Sequence, residues 1–470
     1  MKGTGFPKDF LWGAALSNVQ AEGAYLADGK GLTVYDTLEI RKEKGQTSVR
    51  DTSVASNHYY QYREDIRLMK EMGFRAYRFS VVWSRINPTG TETTPNKAGL
   101  DYYEEMVDEL RRAGIEPVVS LVHFDMPDHL AKEYNGFYSS HVVKYYAMHV
   151  RQVVERLKDK VKYWITYNEI NTALFSSQLV AGATRPEQVS KGEFYATLIH
   201  HLQLAHAEAV HIIKELSPTA KVSGMVNYAC VDPKTTRPRD VEAAHIANNY
   251  LNFLPLDIMV RGEYPAYYRA FLRNRKIRED REGMDRIREA SKKMDFIALS
   301  YYQTSVICGT EQTDSSAVED GIIFGIHGKL ESSEYLTTTK WGWTINPDGL
   351  KQALEILHQR YHKPLFVVEN GMALTEEPDQ NGELHDEVRI AFYRDHIRKM
   401  HEAMECEGVE VMGYLAWSPI DFLSSHKEME KRYGFVYVGS RMENGRLSRI
   451  PKKSFYWYKK VIESDGEDLE

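Results

Sequence analysis

Cysteine is scarce in this chain. Its 470 residues hold three, Cys230, Cys308 and Cys406, far apart and odd in number. They form no C-x-x-C pair, which argues against a disulfide framework and fits a reducing, cytoplasmic setting. Positive charge is not in excess: 60 Lys and Arg stand against 67 Asp and Glu, a net −7. The basic footprint of a nucleic-acid binder is therefore missing. No run approaches the roughly 18 apolar residues of a membrane span. The start, MKGTGFPKDFLWGAAL, lacks an apolar stretch after a basic opening, so no secretory signal is expected. The 17 histidines include no H-x-H on a strand and no H-E-x-x-H, so neither a metal nor another cofactor is expected. No Pro/Gly/Ser-rich linker divides the chain, and residues 1–470 read as one domain.

What is present is a repeating alternation. Eight near-continuous apolar runs read as strands covered on both faces: residues 10–16, 76–83, 116–124, 162–169, 221–228, 295–302, 364–370 and 411–418. Helical patterns separate them. One runs from about Tyr60 to Met72 and stops at Gly73. A second, DYYEEMVDELRRAG, stops at Gly114. A third follows Pro347 and sets Leu350, Ala353, Leu354 and Leu357 on one face. Eight such units predict an α/β fold, a single (β/α)8 barrel. An open doubly wound sheet is the alternative, but no G-x-G-x-x-G follows a strand. The segment 308–338 is a polar insertion after strand six, a rim or lid element or a tolerated surface loop.

Polar residues gather at the C-terminal ends of these strands, the face that carries chemistry in a barrel. Strand four ends in Asn168 and Glu169, and strand seven in Glu369. A carboxylate after an apolar strand is costly without a partner or a task. Strands four and seven face each other across an eight-stranded barrel, so the two glutamates converge over its mouth. Paired carboxylates are what glycoside hydrolysis uses, about 5–5.5 Å apart in retaining enzymes and about 6.5–9.5 Å in inverting ones. The bland alternative is a pair of barrel-end salt bridges to arginine.

The pieces FLWGAALSNVQAEG (10–23), YRFSVVWSRI (77–86), TYNE (166–169), VVENG (367–371) and GYLAWS (413–418) resemble glycoside hydrolase family 1. The resemblance runs in the family's order from residue 6 to about residue 462. It implies a retaining β-glycosidase with Glu169 as acid/base and Glu369 as nucleophile. Burial and the charge of Glu369 would raise the pKa of Glu169, while Arg78 and Tyr302 would lower that of Glu369. The resemblance also puts Gln20, His123, Asn168 and Trp417 around the non-reducing sugar and Trp343 beside the aglycone. Three positions depart from the family's habit: Val19, Phe124 in H-F-D, and Ser300. All three are expected to sit around the site, away from its chemical centre.

The loop after strand eight reads WSPIDFLSSHKEMEKRYGF (417–435). β-Glucosidases of the family usually carry Glu where this chain has Ser424, and that Glu would repel a 6-phosphate. The pattern of Ser424, Lys431 and Tyr433 resembles the phosphate site of the 6-phospho-β-glycosidases, with lysine as a point charge and two hydroxyls fixing oxygens. Ser425 stands where dedicated galactosidases of that group carry Trp, which favours a 6-phospho-β-glucosidase or an enzyme of dual specificity. The implied partner is a small phosphorylated β-glycoside such as cellobiose-6-phosphate, released as glucose 6-phosphate and aglycone. A β-glucosidase for unphosphorylated substrates and a silent sugar-phosphate sensor are the other readings. Neither nucleic acid nor membrane is an expected partner, and a homo-oligomer remains open.

Overall fold

The structure is a computed structural model that describes residues 5–38, 52–309 and 328–470. Its main sheet closes into a parallel barrel. Strand one (Leu11–Ala15) lies between strand two (Ala76–Ser80) and strand eight (Val411–Trp417). Strand three (Glu116–Ser120) and strand four (Tyr163–Ile165) continue the ladder. Strand six (Ile297–Tyr301) pairs with strand seven (Leu365–Asn370), and strand seven pairs with strand eight.

Strand five comes in two pieces. Lys221–Ser223 pairs with strand four, and Met225–Asn227 pairs with strand six. The break falls at Gly224, where a Cβ would lie 2.5 Å from Met259 Sδ and 3.1 Å from His206 Nδ1. A side chain there would force Met259 to shift.

The strand interiors are buried throughout, as near-continuous apolar runs require when helices cover the outside. The helices follow their patterns. Lys97–Ala113 buries Leu100, Tyr103, Met106, Val107 and Leu110 and ends at Gly114, whose φ of 79° suits glycine. Pro347–Tyr361 starts where the Asn346 side chain accepts the Gly349 amide, and it buries Leu350, Ala353, Leu354 and Leu357. Truncating a leucine such as Leu354 to Ala would cost about 2–5 kcal/mol. The helix expected from Tyr60 spans His58–Glu71.

Strands two, three and four are shorter at their C-terminal ends than expected, while strand seven ends at Asn370 as expected. Strand two stops at Ser80 and the chain turns into a short helix, Trp83–Ile86. Strand four stops at Ile165, four residues before Glu169. Side chains that enter the mouth have to leave the regular ladder, so apolar content outlasts the strand. Two small sheets were not anticipated. One joins Cys230–Pro233, Thr304–Gly309 and Gly328–Glu331; the other is the hairpin of Val436–Glu443 and Arg446–Pro451. The first takes in Cys308 and Gly309 at the start of the 308–338 insertion and Gly328–Glu331 within it; residues 310–327 lie outside the described residues. Among the described residues no helix is long and apolar enough to cross a membrane.

Candidate active site

Arg78, in strand two, is the hub of the barrel mouth, and it is buried. Its Nε donates to Ser120 Oγ at 2.8 Å and its Nη2 to Asn168 Oδ1 at 2.6 Å. Its Nη1 pairs with Glu369 Oε1. A buried guanidinium is costly unless its donors are met, and strand three, strand seven and the chain just past strand four supply the acceptors. Tyr302, one residue past strand six, donates to Glu369 Oε2 at 2.8 Å. Both oxygens of Glu369 therefore receive a donor.

Glu169 is held differently. Its backbone is left-handed, with φ 42°, a conformation that costs a non-glycine residue of order 1–3 kcal/mol. Its Oε1 accepts from Ser300 Oγ at 2.6 Å and from Asn227 Nδ2 at 3.0 Å. Oε2 receives no donor from the described residues. Ser300 thus touches a carboxylate directly. The expectation that it stands away from the chemical centre is corrected, because strand six runs beside strand seven and ends under both glutamates.

Burial raises both carboxyls. Glu169 is raised by desolvation, against hydrogen bonds from Ser300 and Asn227 and the charge of Arg78. Glu369 is pushed up to about 7, by burial first and also by Glu169, while Arg78 and Tyr302 pull it down. The two donors act in the expected direction, but burial outweighs them. The hydrogen bonds differ between the two: each oxygen of Glu369 already accepts a donor, whereas Oε2 of Glu169 accepts none from the described residues.

The residues expected to meet the sugar include Asn168, His123, Gln20 and Trp417. Arginine can only donate, so Asn168 must turn its oxygen to Arg78; its Nδ2 is buried without a protein partner. His123 Nδ1 is likewise buried and unpartnered. Burial and the nearby Arg78 hold this imidazole well below its usual pKa, so it is neutral and can donate and accept. Gln20 donates through Nε2 to Leu423 O at 2.8 Å, leaving its oxygen as an acceptor. The His123 ring stacks on Trp417 at 5.7 Å. Trp343 meets the Tyr302 ring at 5.5 Å.

The loop after strand eight continues the same wall. Phe422 packs edge-on to Trp417 at 5.1 Å, and Tyr433 stacks on Phe422 at 6.0 Å. Ser424 Oγ accepts the amides of His426 and Glu428, each at 3.2 Å, so its own hydrogen is the one available to donate outward. Ser425 Oγ lies 3.4 Å from His426 Nδ1. Lys431 is buried with its Nζ 4.3 Å from the Trp343 ring centre. Behind the loop lies a buried charge frame. Asp421 accepts from Lys452 and Arg432 at 2.9 Å each and from the Gly434 amide. Arg389 donates to Tyr433 O at 2.9 Å.

Motif reading missed Ser120, Asn227 and this frame. Ser300 was legible as an oddity; the others carry no local signal, since their partners are distant in sequence.

A barrel mouth that holds two buried carboxylates, one saturated with donors and one with an oxygen left open, has the parts needed for acid-assisted cleavage of a glycosidic bond. That is the class of the barrel glycosidases. The chain belongs to glycosyl hydrolase family 1, whose profile matches residues 2–467, and it is a glycoside hydrolase. It is 40% identical over 478 residues to a 6-phospho-beta-glucosidase of Clostridium longisporum, covering 99% of this chain and 98% of that protein. It is 38% identical over 473 residues to a phospho-cellobiase of Klebsiella oxytoca, covering 99% of each. The solved family 1 β-glucosidase from Thermotoga maritima matches with a TM-score of 0.84 at 29% identity, covering 98% of each chain.

Proposed function

We propose that this chain, acting as one domain in the cytoplasm, is a retaining 6-phospho-β-glucosidase. It hydrolyses β-glucoside 6-phosphates such as cellobiose-6-phosphate to glucose 6-phosphate and the aglycone. Glu169 protonates the leaving oxygen while Glu369 attacks the anomeric carbon. Loss of the Glu369 charge in the glycosyl-enzyme lets the deprotonated Glu169 take a proton from water as the water oxygen attacks the anomeric carbon, which breaks the bond to Glu369 and restores both carboxyl groups to their starting states. The division of roles is supported by the donors: two on Glu369 favour its carboxylate, and an open Oε2 suits a protonated Glu169. Asn168, with its NH2 turned outward, is suited to a sugar hydroxyl beside the reacting carbon.

The single observation that carries the substrate class is Ser424. Its hydroxyl accepts two backbone amides and keeps a hydrogen to donate, in a loop that also brings Lys431 and Tyr433. An acidic side chain there would repel a phosphate; a donor welcomes it. Both relatives named above for phosphorylated glucosides support the same reading. The small side chain of Ser425 leaves room beside it, which bears on whether 6-phosphogalactosides are also accepted.

A kinetic panel over an aryl β-glucoside, an aryl β-galactoside and their 6-phosphates tests this. The 6-phosphoglucoside is expected to have the highest kcat/KM. Turnover confined to unphosphorylated substrates would overturn the proposal, and comparable rates on both 6-phosphates would make the enzyme dual in specificity.

A further inference from the structure

We infer that Trp341 and Trp343 form a clasp that seats Lys431 for the substrate's phosphate, which makes Trp341 a positioning residue for substrate selection. This deepens the phosphorylated-substrate reading and rests on it. Residues 337–345 form a tight hairpin. Thr338 bridges Thr344, the Ile345 amide donates to Thr337 O at 2.9 Å, and the Thr339 amide donates to Trp343 O at 2.8 Å. At its tip Gly342 has φ 77°, a conformation glycine adopts without the clash a Cβ would bring. Trp341 and Trp343 flank that glycine, and both reach the same cation.

The Lys431 Nζ lies 4.3 Å from the Trp343 ring centre and 5.4 Å from that of Trp341. Both are within the roughly 6 Å reach of a cation–π contact, which is strongest for tryptophan and for a desolvated cation. Lys431 is buried. An indole face steadies an ammonium without adding a formal negative charge of its own. Two faces on one ammonium also restrict a flexible four-carbon stem, and less freedom is then lost when phosphate arrives. Trp343 meets Tyr302 as well, so altering it disturbs the nucleophile's hydroxyl partner. Trp341 is the cleaner probe: its ring faces Lys431 and Lys340.

The test compares kcat/KM for an aryl β-glucoside 6-phosphate with that for the unphosphorylated glucoside. The enzymes are wild type, Trp341→Phe, Trp341→Leu, Lys431→Ala and the Trp341→Leu/Lys431→Ala pair. The phosphate preference is expected to fall about threefold in Trp341→Phe and about tenfold in Trp341→Leu, through KM. The double variant should lose no more preference than Lys431→Ala alone. If Lys431→Ala removes the preference while both Trp341 variants keep it, the clasp is wrong and the substrate reading stands. If Lys431→Ala leaves the preference intact, the substrate reading itself falls. Equal losses on both substrates would make Trp341 merely structural. Should Trp341→Leu fail to fold, Trp341→Phe decides alone: a preference equal to wild type overturns the clasp.

Discussion

Around the carboxylates, the holds are direct hydrogen bonds and an ion pair from residues on, or just past, other strands of the barrel. Glu369 is gripped by Arg78 and Tyr302, and Glu169 by Ser300 and Asn227. Around the loop after strand eight, Asp421, Lys452, Arg432 and Arg389 tie the backbone down from behind. In the loop itself Ser424 accepts two backbone amides, while Lys431 and Tyr433 lie against aromatic rings. The first arrangement fixes both position and protonation. The second fixes position alone and leaves Ser424 a hydrogen to give. Reacting groups need the former, because their charge state is part of the reaction. Groups that select a ligand need only the latter.

This contrast can be broken at three points, taken in order of expected effect. Glu369→Ala should lower kcat by about 10⁴-fold or more on phosphorylated and unphosphorylated glucosides alike, because it removes the attacking group. Activity within tenfold of wild type would place the chemistry elsewhere. Lys431→Ala should cost about 2–5 kcal/mol in kcat/KM on the 6-phosphate, with a far smaller loss on the plain glucoside; steady-state kinetics on both substrates measures this. Equal losses would mean that the loop also fixes the reacting groups, and the contrast would dissolve.

The smallest effect sharpens the comparison. Ser300→Ala should lower kcat/KM about tenfold, the scale of one hydrogen bond to a charged group. It should also move the pH profile. The Ser300 hydroxyl pulls the pKa of Glu169 down. Without it Glu169 keeps its proton to higher pH, and the alkaline limb of kcat/KM shifts upward. An unmoved alkaline limb would show that Ser300 only fills space.

Much of the barrel was legible because its strands are apolar on both faces, and a run such as PLFVVEN announces itself. Glu169 and Glu369 stood out for the same reason, as charges closing apolar runs. The ends of strands two and four did not, since Val81, Val82 and Tyr167 stay buried after the ladder stops. Apolar character reports burial and says nothing of hydrogen-bond register. The charge frame behind the loop was unreadable for another reason. Lys452 meets Glu376 from 76 positions away, and such a pair exists only once the fold brings it together. Trp341 was in plain view beside Trp343, but a tryptophan two residues from a site carries no mark of which way it faces.

The break in strand five has a consequence for anyone altering this enzyme. The half that follows Gly224 ends in Asn227, and Asn227 hands its amide to Glu169. The missing methyl at position 224 leaves room for Met259 and His206 and so lets the second half swing from one neighbour strand to the other. A residue that makes no contact with Glu169 thereby bears on where the proposed proton donor is held. Directed changes that fill this space would register first in the enzyme's response to pH, well before the barrel itself gave way.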